Sequence, residues 1–186
     1  MLKIGIILGS TRPGRNGEAV AKWVLEQANK RGDAQYELVD VAAFNLPLLN
    51  EAVPPSYGQY EHEHTKAWSA EIAKYDGYVL VTPEYNHAPG AALKNALDYL
   101  YNEWNDKAVG FVGYGSAGGV RAVEQLRLVT AELQMAGVRN QVMLSLFTDF
   151  DNFSAFKPMA HQEKSLGAML DQLVRWSTAL KPLRAV

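Results

Sequence analysis

Leu8-Gly9-Ser10-Thr11-Arg12-Pro13-Gly14-Arg15-Asn16-Gly17 is the stretch around which the chain is organised. It follows Ile4 to Leu8, an aliphatic run broken only by Gly5, as expected of a strand buried on both faces of a parallel sheet. Beyond it, Ala21, Val24, Leu25 and Ala28 recur at helical spacing, with Glu18, Lys22, Glu26 and Lys30 on the opposite face. An amphipathic helix is expected from Gly17 to Arg31, stopped by Gly32. The turn between strand and helix concentrates donors: backbone N–H groups at small residues, the hydroxyls of Ser10 and Thr11, the guanidinium groups of Arg12 and Arg15, the Asn16 amide and a helix N-terminus at Gly17. Such a set suits a phosphate. It is neither a Gly-x-Gly-x-x-Gly turn nor a Gly-Lys-Ser/Thr loop. The plainer alternative is a polar turn in which Asn16 caps the helix and the arginines are solvated.

Working outward, Tyr36 to Val41 reads as a second strand. Residues 42–60 hold Pro47, Pro54 and Pro55 and cannot form a continuous helix; loops of that length tend to be functional or to contact another subunit. Trp68, Ile72 and Tyr75 mark the inner face of a helix ending near Asp76-Gly77, and Tyr78 to Val81 is a third strand. Ala91 to Tyr101 has helical spacing, and Val109 to Val112 gives a fourth strand. Ala122, Leu126, Val129, Leu133 and Ala136 predict a helix stopped by Gly137, and Val142 to Phe147 a fifth strand. A last helix carries Leu166, Met169, Leu170, Leu173, Ser177 and Leu180 on one face. Five strands alternating with five helices imply a three-layer α/β sandwich, a doubly wound five-stranded parallel sheet with helices on both faces, and one domain spanning residues 1–186. In the order 2-1-3-4-5, the loops after the first, third and fourth strands meet at one crevice beyond the carboxyl ends of the strands.

Two of those loops are unusual. Pro83-Glu84-Tyr85-Asn86 lies between prolines that fix the backbone, so that its polar groups can face a planar heterocycle while Tyr85 covers a ring face; a flavin ring suits it. An ordinary turn with Asn86 in left-handed dihedrals is the alternative, and His87 is read as a hydrogen-bonding or solvated residue. Gly115, Ser116, Gly118 and Gly119 allow close backbone approach with a hydroxyl donor, or else form a tight strand-to-helix turn.

The remaining features exclude more than they assign. The chain has 186 residues, 48% of them hydrophobic, with 18 basic and 20 acidic side chains and a net charge of -2, which argues for neither nucleic acid nor an anionic membrane as partner. The absence of cysteine removes disulfides, thiolate metal sites and thiol catalysis. His62 and His64, two apart near a helix start, are expected to point away from one another, so no metal site is expected. Asp149 and Asp151 are expected in a solvated loop, and Trp68, Trp104 and Trp176 as core or interface anchors. The apolar N-terminal run is too short for a signal peptide or membrane span, so a cytoplasmic protein is expected.

Together the three loops resemble those of the NADPH-dependent FMN reductase family, flavodoxin-like enzymes that include quinone and azo-dye reductases. Gly9-Ser10-x-Arg12 with Asn16 resembles the family's FMN-phosphate loop, Pro83-Glu84-Tyr85-Asn86 its flavin-ring loop, and Gly115-Ser116-x-Gly118-Gly119 its glycine-rich loop near the pyrimidine edge. Arg15-Asn16 stands where many relatives carry a serine. The resemblance implies FMN as cofactor, NADPH or NADH as hydride donor, ping-pong transfer to a small-molecule acceptor, no side-chain acid or base, and a homodimer or tetramer with FMN near the subunit interface. Two rivals share the fold: a flavodoxin-type electron carrier, which a net charge of -2 supports little, and a non-catalytic phosphate-ligand sensor.

Overall fold

The structure is a computed structural model that describes residues 1–184. Its central sheet runs β2 (Gln35–Asp40), β1 (Lys3–Leu8), β3 (Gly77–Tyr85), β5 (Ala108–Gly115), β6 (Ala136–Ser145), all parallel, with the two-residue β4 (Ala88–Pro89) folded back antiparallel on β3. Counting the five long strands alone, this is the order 2-1-3-4-5, the flavodoxin-like arrangement.

Alternation within the strands divides the core. From β1, Ile4, Ile6 and Leu8 pack with α1 (Gly17–Asn29) and α5 (His161–Leu180). Ile7 faces the other side, with Tyr78 and Leu80 of β3, against α2 (Glu63–Ile72), α3 (Ala91–Asp98) and α4 (Val120–Glu132). Each of these large side chains is fully buried, contributing about 1.5–3 kcal/mol by leaving water. Trp68 and Trp104 belong to the second layer, where their indole N–H groups donate to the carbonyls of Ala96 (2.8 Å) and Leu97 (3.2 Å). Among the described residues no helix is long and apolar enough to cross a membrane.

Several local expectations are corrected. Gly137 is not a helix stop: α4 ends at Glu132, Gln134 takes the left-handed turn (φ 56°), and Gly137 already pairs with Val109 in β6. β6 starts at Ala136 and ends at Ser145, so the expected strand to Phe147 captured only its apolar second half. Trp68 and Trp104 are the core anchors, whereas Trp176 is half exposed, which leaves it the interface alternative. His62 and His64 do not diverge; their rings stack at 5.1 Å, because His62 precedes α2 in extended backbone and helical spacing does not apply. Asp149 is not solvated. It is 1% exposed, and its carboxylate accepts the N–H groups of Ser145 (2.9 Å) and Met159 (3.0 Å), so it pins the segment after β6; Asp151 is the exposed member, paired with Lys157.

Candidate active site

All three loops emerge at the carboxyl ends of β1, β3 and β5, and their side chains meet around a cleft of about 270 Å³. Arg12 and Asn16 come from the first loop, Pro83, Glu84 and Tyr85 from the second and Gly115 from the third, with Tyr114, Leu146 and Phe153 completing the wall. A larger groove of about 560 Å³ runs between β6 and α5, lined by Arg139, Met143, His161 and Lys164, but none of the three loops reaches it. The cleft, where the strand order reverses, is the position at which such sheets bind ligands.

The first loop is built to hold an anion. The N–H groups of residues 10–12 and 14–16 donate no hydrogen bond among the described residues, and the first helical donation is from Val20 to the Asn16 carbonyl (3.3 Å). Arg12 is exposed, has no hydrogen bond or ion pair to any described residue, and lies 6.0 Å from the Tyr85 ring centroid. Ser10 is buried beneath it. Its hydroxyl accepts from Tyr114 (3.2 Å), leaving its own proton free to donate. Burial pushes the Tyr114 phenol up to about 12, so it remains a donor at physiological pH. Gly17 lets α1 start this close, since a Cβ there would stand 2.5 Å from Ser10 Oγ and 2.7 Å from the Tyr114 oxygen.

Arg15 and Asn16 are occupied differently. The Arg15 guanidinium turns away from the cleft and grips both Asp40 oxygens (3.0 and 2.6 Å), Glu18 (3.0 Å) and the Ser10 carbonyl, tying the loop to the end of β2. Asn16 makes no side-chain cap; its amide donates to the Phe153 carbonyl (2.8 Å).

The second loop is a hairpin. Tyr85 pairs with Ala88, and Asn86 (φ 50°) and His87 (φ 67°) form its left-handed tip, a turn that matches strand twist. Glu84, its side chain 4% exposed, faces α4. There it accepts the backbone N–H (3.0 Å) and Nε (2.6 Å) of Arg121, while Arg121 donates to His87 Nε2 (2.6 Å) and Gln125 to the His87 carbonyl (2.6 Å). α4 has no capping side chain of its own, because Gly119 occupies its N-cap. Glu84 therefore caps α4 from a neighbouring strand and locks the second and third loops together. Neither Arg121 nor Tyr114 was anticipated; nothing local in sequence pairs Glu84 with a residue 37 positions away.

Burial alone would raise the Glu84 carboxyl, but the hydrogen bonds from Arg121 and from the backbone of α4 outweigh it and hold the group below its ordinary 4.5. A carboxyl lowered on folding stabilises fully above its unfolded value, and that stabilisation fades as pH falls through the folded value. Glu84→Gln is expected to cost about 1–3 kcal/mol at neutral pH and to flatten the acid limb of stability below pH 4.5. Urea melts of both proteins across that limb provide the check; parallel curves would remove Glu84 from the cap.

In the third loop, Gly118 and Gly119 are buried with left-handed backbone (φ 67° and 70°), and Gly115 closes β5 against Glu84. Ser116 is exposed, and the N–H groups of Ser116 and Ala117 donate no hydrogen bond among the described residues. Asn86, Ser116, Gly118 and Gly119 do not line the cleft itself. The donors fit a flavin mononucleotide: a free cation and a run of free N–H groups for the phosphate, an aromatic face and a second set of free N–H groups for the ring.

Known proteins match this chain over most of its length. The model of the NADPH-dependent FMN reductase family matches residues 2–149. An NAD(P)H-dependent FMN reductase of Nectria is 41% identical over 172 residues, covering 89% of this chain and 86% of that protein. A 2-hydroxy-1,4-benzoquinone reductase of Burkholderia is 28% identical over 184 residues, covering 94% and 96%. Among solved structures, a flavoenzyme NAD(P)H:(acceptor) oxidoreductase of Paracoccus denitrificans superposes with a TM-score of 0.75 at 19% identity, covering 96% of this chain and 98% of that one, which bears on the fold.

Proposed function

This chain belongs to the NADPH-dependent FMN reductase family, and from that premise we propose that the three-loop cleft holds FMN and passes hydride from NAD(P)H to a planar aromatic acceptor in ping-pong order. It is an FMN-dependent, NAD(P)H-oxidising enzyme that acts on small molecules. The observation that carries the site is the unpaired donor set of the first loop beside the one free cation among the cleft-lining residues, Arg12.

Arg12, Ser10 Oγ and the backbone N–H groups of residues 10–12 and 14–16 would hold the phosphate. The Arg15 side chain, committed to Asp40, would position that loop, and the Asn16 side chain ties it to the segment after β6. Tyr85 would cover one ring face, with Pro83 and the backbone of Asn86 alongside it. The N–H groups of Ser116 and Ala117, held in place by Gly115, Gly118 and Gly119, would stabilise negative charge at the ring edge. When bound, FMN supplies the hydride acceptance and return, so no side-chain acid or base is called on.

Anaerobic mixing of the holoprotein with NADPH, with no acceptor present, is expected to bleach the flavin, and initial-rate plots at several acceptor concentrations to be parallel. No bleaching would reduce the protein to an electron carrier; intersecting lines would contradict the ping-pong order. Assembly as a homodimer or tetramer is part of the same proposal, supported by the exposed Leu48, Leu49 and Leu128, and light scattering at a monomer mass would contradict it.

A further inference from the structure

The segment after β6 lies largely outside the residues matched by the family model, which ends at 149, yet it reaches the cleft. It folds as a small antiparallel hairpin, β7 (Phe150–Asp151) and β8 (Ala155–Phe156), with Asn152 (φ 50°) and Phe153 (φ 59°) both left-handed at its tip. A bulky aromatic residue in that conformation is strained and persists only where its surroundings over-determine it. They do so here. The buried Asp149 carboxylate anchors the base, Phe150 packs on Tyr114 (6.4 Å between centroids), Phe156 packs on Trp23 (5.6 Å), and Asn16 clasps the Phe153 carbonyl.

What this scaffold displays is apolar and faces water. Phe153 is 57% exposed and Phe147 67% exposed, the two rings meeting edge to face at 5.5 Å, and Phe153 lines the cleft together with Tyr85 and Arg12. Neither ring supports the core. Exposed aromatics held rigidly at the rim of a pocket are suited to planar apolar ligands.

Resting on the reading of the cleft given above, we propose that Phe147 and Phe153 form an aromatic side wall of the acceptor position and select planar aromatic acceptors, quinones among them, over acceptors without an apolar ring. The pair acts on acceptor binding and leaves the chemistry to the cofactor. Phe147, just before the hairpin, and Phe153, at its tip, would set acceptor specificity together.

The test uses the holoprotein carrying Phe153→Asn, which removes the ring while tolerating the left-handed backbone, and separately Phe147→Ala, at a position with no backbone strain. Calorimetric titration of the oxidised holoprotein with 1,4-naphthoquinone reads binding without turnover, and rates with 1,4-naphthoquinone and with ferricyanide read selectivity. Each variant is expected to weaken naphthoquinone binding on the order of tenfold and to lower its kcat/KM relative to ferricyanide by a similar factor. An unchanged ratio of the two acceptors would overturn the proposal. So would an FMN dissociation constant that moves as far as the naphthoquinone constant, which makes the pair a cofactor wall, or a change in oligomeric mass, which makes it a subunit contact. Failure of the wild-type protein to take up FMN at all is a different result and refutes the reading of the cleft.

Discussion

Replacing Arg12 by alanine is expected to weaken FMN binding by about 1.5–3 kcal/mol, the worth of a hydrogen bond to a charged group, or roughly 10- to 150-fold in the dissociation constant. Two arginines stand in the first loop, and the structure separates their duties. Arg15 is committed to Asp40, Glu18 and the Ser10 carbonyl, whereas Arg12 touches only the Tyr85 ring, at a distance of 6.0 Å. That contact is at the outer limit for a cation over a ring and exposed to water, so its loss costs under about 1 kcal/mol. Nearly all of the effect must therefore appear in ligand affinity, with the melting temperature of the apoprotein almost unmoved. Fluorescence titration of wild type and variant decides it, and an unchanged dissociation constant removes Arg12 from the site.

Gly119→Ala has the largest expected effect on folding, on the order of 3 kcal/mol or more. Two costs combine. The backbone at Gly119 is left-handed (φ 70°), and an added Cβ would stand 2.6 Å from the Tyr114 nitrogen and 2.7 Å from the Gly113 backbone, atoms that β5 cannot move. Gly14 separates the terms: its φ is 67°, but a Cβ there meets nothing within 4 Å, so Gly14→Ala is expected to cost about 1 kcal/mol, from strain alone. Chemical denaturation of the two variants side by side is the measurement. Equal losses would mean that the third loop yields where the structure holds it rigid.

The sheet order and the meeting of three loops were legible because both follow from local signals. Continuous apolar strands, helical periodicity and right-handed crossovers leave few topologies, and the loops at Ser10, Pro83 and Gly115 fall on one edge in the order 2-1-3-4-5. Element ends were less legible. β6 is an edge strand with alternating exposure, its open side covered by Arg127, Gln162 and Gln172 side chains, so only its apolar half stood out. The functional pairings were hidden for another reason. Glu84 capping α4, Arg15 gripping Asp40 and Asn16 clasping Phe153 each join residues at least 25 positions apart. No periodicity records such contacts, and residue type alone made Asn16 look like a helix cap.

The account turns on the first loop being a phosphate cradle within a flavin site, with the free N–H groups of residues 10–12 and 14–16 and the Arg12 cation as its substance. Calorimetric titration of the apoprotein with FMN and with riboflavin, which carries the same ring but no phosphate, tests this most directly. One FMN per chain is expected, with riboflavin weaker by about two orders of magnitude or more, since several hydrogen bonds to a charged group are lost together. Equal affinities for the two would contradict the cradle.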